Sequence, residues 1–425
     1  MAKERNLPLL RINSSRLHAD FDALAQIGAT DDGGVHRPTF SDAHLAARAW
    51  FHEQVARAGL EFRVDGAGNH SAFLPSPQPS PVVDRGGSKA PTLLLGSHLD
   101  SVPRGGRFDG ALGVLAALEV LRTVKENHVA LPMNLEAIDF SDDEGTLVGL
   151  LGSSVVSGKF KAEDLQKPRG GCEAFEAGLA RAGLTEAGML AAARPRESLG
   201  GYLELHIEQG KRLVNAGKQI GIVTDIVGIW SYALTFIGRA DHAGTTCMQD
   251  RLDAAQGASA FALAVRELVI GDFPECVANV GKMEFAPGAF NIVPASVVVS
   301  LEFRAPDSDE FQRLNDALIE RAHIEAKRFG LQLQVESLGK HEPTPMSEQA
   351  QRAIRDACDA LGLTHTALVS GAGHDAQNLA TICPAGMIFV PSVDGASHSP
   401  REFTEWQDCV NGANVLLQAA LRIAS

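Results

Sequence analysis

The sequence predicts an α/β protein of two domains: a mixed sheet flanked by helices, and a smaller domain of β-α-β-β-α-β order inserted into it. At 425 residues the chain exceeds what one ordinary core organises. Short apolar runs at 92–95, 133–140 and 202–205 each end abruptly in polar side chains able to bind a ligand. In open α/β sheets, sites gather at the carboxyl ends of strands. From about Gly217 the texture changes to closely spaced strand and helix patterns, and the first texture resumes near the C-terminus.

Taken in order, residues 41–60 carry apolar positions at helical spacing (Leu45, Ala46, Trp50, Phe51, Val55, Leu60), with Ser41 and Asp42 placed to cap the start. Residues 75–91, PSPQPSPVVDRGGSKAP, are dense in Pro, Gly and Ser and read as an exposed loop. The strand-like run at 92–95 leads into GSHLD, and 110–124 is helical in pattern. The run at 133–140 ends in SDDEG, and that at 202–205 continues into HIEQG. Next, 220–238 reads as paired strands, 251–270 as a helix, 276–284 and 293–304 as strands, 309–329 as a helix and 331–335 as a strand. That order is ferredoxin-like. A helix at 347–361, a strand at 387–390 and a helix at 403–423 return the chain to the first domain. The boundaries so drawn are 1–213 with 339–425 for the larger domain and 214–338 for the inserted one.

Composition narrows the class. Hydrophobic residues at 45% and charged ones at 21% suit a folded, soluble chain. A net charge of −14, with no Lys/Arg stripe, argues against a nucleic-acid partner. Six scattered cysteines without a CxxC pair fit a reducing compartment. The N-terminal MAKERNLPLL has basic residues but no sustained apolar run, so a signal peptide is not expected, and the greasy stretch at 112–121 is interrupted by Glu119 and too short to span a bilayer. The expectation is a cytoplasmic protein with no membrane partner.

The chemistry-bearing residues cluster at the strand ends. His98 is followed two residues on by Asp100, and Asp109 lies in a Gly-bounded turn. Imidazole and carboxylate are good ligands for zinc, manganese or cobalt, and a second carboxylate can orient a ligating His. Asp142, Asp143 and Glu144 are adjacent, so their repulsion is costly unless a cation is near or the turn is solvated. HIEQG adds His206, Glu208 and Gln209, and SHSP adds His398.

Together these segments resemble the metal-dependent amidohydrolases of the M20 peptidase superfamily, and within it the hydantoinase/carbamoylase group of N-carbamoyl-amino-acid hydrolases, allantoate amidohydrolases and β-ureidopropionases. The likeness runs along nearly the whole chain. It includes IGATDDGGVHRPTFS (27–41), VDGAGN (64–69), RADHAGTTCMQDRLDAA (239–255), NIVP (291–294), SGAGHDA (370–376) and MIFVPSVDGASHSPREF (387–403). The resemblance implies two divalent metal ions, zinc first, with manganese, cobalt or nickel as alternatives. Asp109 would bridge them, with His98 and His206 on one and Glu144 and His398 on the other. Such donors can hold two ions about 3.5–4 Å apart and lower the pKa of a shared water toward neutrality. His206, where many related peptidases carry a carboxylate, points to the carbamoylase group.

The same resemblance implies Asp143 as proton shuttle, Asp100 behind His98, and His242 polarising the scissile carbonyl. Gln209 would lie near the scissile group, Asn291 and Arg304 would bind a substrate carboxylate, and Gly371, Gly373 and His374 would form a substrate-lining loop. The inserted domain would act as lid and dimerisation element, giving a homodimer across which His242 can act. The sequence departs from the pattern in three places. Asp143 stands where the family has Glu, and Thr146, Leu147 and Val148 follow Gly145 where Gly-x-Arg-Phe is common. Cys247 replaces a frequent Pro and is expected to be a small buried residue. A carboxylate misplaced by about 1 Å can cost on the order of 10²-fold in rate. The expected reaction is hydrolysis of a linear C–N bond in an N-carbamoyl- or N-acyl-amino acid. Allantoate, a simple N-acyl amino acid or a dipeptide remains an alternative substrate, and a degenerate metabolite-binding or assembly protein an alternative of another class.

Overall fold

The computed structural model describes residues 9–77, 90–166 and 168–425, so most of the loop read at 75–91 lies outside the described residues. The strands in chain order are β1 (Glu61–Val64), β2 (His70–Leu74), β3 (Thr92–His98), β4 (Asn134–Phe140), β5 (Leu199–Ile207), β6 (Ile220–Ile226) and β7 (Gly228–Ile237). They continue with β8 (Val277–Ala286), β9 (Ser296–Ala305), β10 (Gln332–His341), β11 (Thr344–Pro345), β12 (His365–Ser370) and β13 (Ala385–Val390). The chain divides into two compact units. One comprises Met1–Thr224, Met346–Leu368 and His374–Ser425; the other comprises Asp225–Pro345 and Val369–Gly373.

In the first unit the sheet runs β1-β2-β4-β3-β5-β13-β6, with β12 also on β6. Its centre, β4-β3-β5-β13, is parallel, while β1, β2 and β6 pair antiparallel at the flanks. Every residue of β3, β4 and β13 is buried, as parallel strands covered on both faces require. The apolar runs read at 92–95, 133–140 and 202–205 correspond to β3, β4 and β5. Helices Ala111–Glu126 and Trp406–Ile423 supply Leu112, Leu115, Val120, Leu416 and Leu417 to the core that also takes Leu93 and Leu95 from β3. The helix Asp42–Arg57 starts where its sequence says: Ser41 is the N-cap and accepts the His44 N–H.

The second unit has an antiparallel sheet in the order β10-β7-β9-β8. Helix Ala254–Asp272 lies between β7 and β8 in the chain, and helix Ser308–Arg328 between β9 and β10. Strand β9 alternates strictly between half-buried and buried, and Val297, Val299, Leu301 and Phe303 point into a core shared with Phe261, Phe311 and Leu318. One expectation is corrected here. The strands read across 220–238 do not pair with each other: β6 joins the first sheet and β7 the second. A single residue, Val227, separates them, too few to turn a hairpin. Among the described residues no helix is long and apolar enough to cross a membrane.

Candidate metal centre

The parallel strands of the first unit deliver their carboxyl ends to one edge. His98 is the last residue of β3, His206 lies near the end of β5, and the turn carrying Asp142, Asp143 and Glu144 follows β4. Asp109 precedes Gly110, the N-cap of helix Ala111–Glu126. Gly110 has φ 63°, and a Cβ there would lie 2.5 Å from three ring atoms of His98. Glycine is therefore required for the imidazole to sit against the helix start.

Two donor sets meet at Asp109. The ligand atoms of His98, Asp109 and His206 lie within 4.8 Å of one another, and so do those of Asp109, Glu144 and His398. Asp109 Oδ1 is 3.0 Å from His206 Nε2 and 3.5 Å from His98 Nε2, whereas Oδ2 is 3.6 Å from His398 Nε2. His398 Nε2 is also 3.6 Å from Glu144 Oε2. Each oxygen of one carboxylate thus faces its own set. Backbone carbonyls orient the two buried rings: His98 Nδ1 is 3.1 Å from the Asp100 carbonyl, and His206 Nδ1 is 2.9 Å from that of Ile207. A ring that donates from Nδ1 presents the Nε2 lone pair to a cation.

These residues fit divalent cations. Donors bound about 2.0–2.2 Å from one ion stand roughly 3–3.5 Å apart, close to the separations seen. Buried oxygens on Asp143 (Oδ1) and Glu144 (Oε1) have no hydrogen-bond partner. Unpaired buried carboxylate oxygens are costly unless a cation or water meets them. Electrostatics agree. Burial pushes the Asp143 carboxyl up to about 7, against the pull of His98 and with Asp100 and Glu204 adding to the rise. Burial, reinforced by Asp109, lifts Glu144 well above the usual carboxylate range. Burial also opposes charge on His98, but Asp143, Asp109 and Asp100 outweigh it and raise that ring well above its ordinary value. A divalent cation resolves this crowding of like charge.

The three adjacent carboxylates divide their work. Asp142 turns away from the cage and accepts the N–H groups of Leu147, Val148 and Gly149 at 3.0, 2.6 and 2.9 Å. Asp143 Oδ2 lies 3.4 Å from His98 Nε2. Asp100 is 1% exposed, and its carboxylate takes the N–H groups of Asp143 and Glu144 and the Thr39 hydroxyl. Its carboxylate therefore braces the acidic turn, while its carbonyl is what orients His98. Leu147, at the position where the resemblance expects Arg, is buried among Phe40, Phe175 and Leu179. The helix Cys172–Ala182, which brings Phe175 and Leu179, makes that site apolar.

Gln209 is held by the cage itself: its Nε2 donates to Asp109 Oδ2 at 2.7 Å and to the Ser397 hydroxyl at 3.1 Å. The remaining sequence-identified residues fall in the second unit. His242 Nδ1 accepts the N–H groups of Gly244 and Thr245 at 3.0 and 3.1 Å, which places the ring proton on Nε2 as a donor. Asn291 is brought beside it by pairing of residue 242 with Ile292. Arg304 gives Nε and Nη2 to Glu302 Oε1 and Nη1 to the Gly371 carbonyl at 2.7 Å. One N–H remains on each terminal nitrogen, the pair a carboxylate takes. Gly371 is exposed and Gly373 half-buried beside it, whereas His374 belongs to the first unit, its ring 4.6 Å from that of His206. Cys247 is exposed rather than buried, because it lies in the loop before the short turn Met248–Asp250 and packs into no core. Sequence reading also missed Ser397, Glu402 and Glu204. Glu204 accepts the Ser97 hydroxyl and the Ala376 N–H beneath His206. A carboxylate in an otherwise apolar strand was the signal available for it.

A mixed α/β sheet whose central parallel strands and the turns after them gather a His/Asp/Glu cluster is an architecture suited to a divalent-metal site. Comparison with known proteins makes this specific: residues 94–422 match the family model of Peptidase family M20/M25/M40, and the chain belongs to that family. It is 36% identical to an N-carbamoyl-L-amino acid amidohydrolase of Geobacillus stearothermophilus, over 97% of this chain and 99% of that protein. An allantoate amidohydrolase of Bacillus subtilis is 32% identical, over 94% of this chain and 95% of the relative. Among solved structures, an amidase of the hydantoinase/carbamoylase family from Burkholderia multivorans superposes with a TM-score of 0.86 at 34% identity, covering 98% of this chain and 99% of the other.

Proposed function

We propose that this chain hydrolyses the linear C–N bond of a small N-carbamoyl-amino acid, using two divalent ions, zinc first among them, that share Asp109. The observation that carries the reading is the facing of Asp109 Oδ1 and Oδ2 toward separate donor sets. It is reinforced by relatives of nearly full length that act on N-carbamoyl amino acids. His98 and His206 would hold one ion, and Glu144 and His398 the other. Bound ions of this kind polarise a carbonyl and lower the pKa of water toward neutrality. Asp143, whose Oδ2 lies 3.4 Å from His98 Nε2 and whose Oδ1 has no hydrogen-bond partner, would take the proton of the attacking water and deliver it to the leaving nitrogen. In the second unit, the Nε2–H of His242 would donate to the carbonyl oxygen as charge builds there. Asn291 and the two remaining Arg304 N–H groups would grip the substrate carboxylate, with Gly371 and Gly373 lining it.

The ferredoxin-like second unit would serve as lid and dimer element. Its edge strand β8 leaves Val277 and Phe285 exposed, and a second copy of the chain would cover them. A panel of N-carbamoyl amino acids, N-acyl amino acids, allantoate and dipeptides, assayed with added Zn²⁺, Mn²⁺ or Co²⁺, tests the activity. Ammonia release should be fastest from the N-carbamoyl compounds. No turnover on any substrate, with metal binding retained, would overturn the hydrolase reading.

A further inference from the structure

Glu402 is 4% exposed and lies outside every donor set described, yet it touches both segments that build the outer half of the cage. Its Oε1 accepts two successive backbone N–H groups, from Phe108 at 2.9 Å and from Asp109 at 3.0 Å. Its Oε2 accepts the Ser397 hydroxyl at 3.1 Å, and Ser397 Oγ also lies 3.1 Å from Asp109 Oδ2. Ser397 is the residue before His398. One carboxylate therefore ties the backbone of the bridging Asp109 to the turn that presents His398. The chain makes room for it: a Cβ on Gly106 would lie 2.0 Å from Glu402 Cδ, so only glycine lets the carboxyl reach in.

The outer half needs such a tie. His398 sits at φ 52°, a left-handed conformation that a non-glycine residue adopts only when its surroundings enforce it. Its side chain is 54% exposed, against 1% for His98 and 2% for His206. The inner rings are fixed by strands and carbonyls, whereas nothing in regular structure fixes the outer ring. Residues of this kind, which hold ligands without being ligands, are worth roughly 10- to 100-fold in metal affinity.

We propose that Glu402 is a positioning residue that locks Asp109 Oδ2 and His398 into register and so sets the affinity of the ion held by Asp109, Glu144 and His398. The inference rests on the two-ion reading. It is tested by calorimetric titration of metal-stripped, full-length protein with Zn²⁺. The wild-type chain should bind two ions. Glu402→Ala should keep the tighter ion and weaken the other about 10- to 100-fold. Glu402→Gln should recover most of that loss, because its Oε1 still accepts both N–H groups and its Nε2 can donate to Ser397. Ser397→Ala, a smaller change, should weaken the same ion and gives the readout if Glu402→Ala does not fold. Two ions of unchanged affinity in either alanine variant, or equal loss of both ions, would overturn the positioning role. A wild-type chain that binds one ion would overturn the two-ion reading and this inference with it.

Discussion

The two halves of the cage are built differently. His98 and His206 stand on the central parallel strands, and backbone carbonyls fix their rings. Glu144 and His398 stand on turns, each after a strand has ended, and depend on side chains from elsewhere in the chain: Asp100 under the acidic turn, Glu402 and Ser397 beside His398. The inner half is as rigid as the sheet. The outer half is held by side-chain hydrogen bonds, so substitutions are expected to disturb its geometry most easily there.

The sharpest way to break this contrast is to remove one ring from each half. His206→Ala should lose the inner ion and all measurable turnover. It should also lower the denaturation midpoint, because it leaves Glu204 and Asp109 buried with less compensation. His398→Ala should lose only the outer ion and unfold at nearly the wild-type midpoint, since the ring is half exposed. Metal content by mass spectrometry and thermal melts of the two variants check this; equal melting losses would erase the difference between the halves. Next in size, Asp143→Asn should retain both ions and lose about 10² to 10⁴ in turnover, the usual worth of a proton-transfer group. Unchanged turnover would remove Asp143 as shuttle. Smallest is Asp142→Ala, which strands the N–H groups of Leu147, Val148 and Gly149. It should cost about 1–3 kcal/mol of stability in denaturant unfolding. Metal affinity at the inner half should not change.

The inner half was also the more legible in the sequence. An apolar run that stops at His98, and another that continues into His206, are local patterns, and parallel topology then places their ends together. The candidate ligands themselves could be named because each sits within a short motif. What supports them could not. Glu402 meets Phe108 and Asp109 across 294 and 293 residues of chain, and no periodicity links such positions. SDDEG shows three equivalent carboxylates in sequence, and only the φ of 59° at Asp142 reveals that one of them turns back onto the backbone. The β6–β7 misreading has the same origin: two strand-like patterns in succession do not say that the chain has passed into another sheet. Residue type alone does not reveal that Cys247 is exposed, because burial depends on the loop that carries it.

One carboxylate serving two ions is the central proposal for this site. Anomalous diffraction from crystals of the full-length chain grown with Zn²⁺ tests that most directly. Two peaks are expected, one among Asp109 Oδ1, His98 and His206, the other among Asp109 Oδ2, Glu144 and His398. A single peak, or two peaks of which one makes no contact with Asp109, would contradict it.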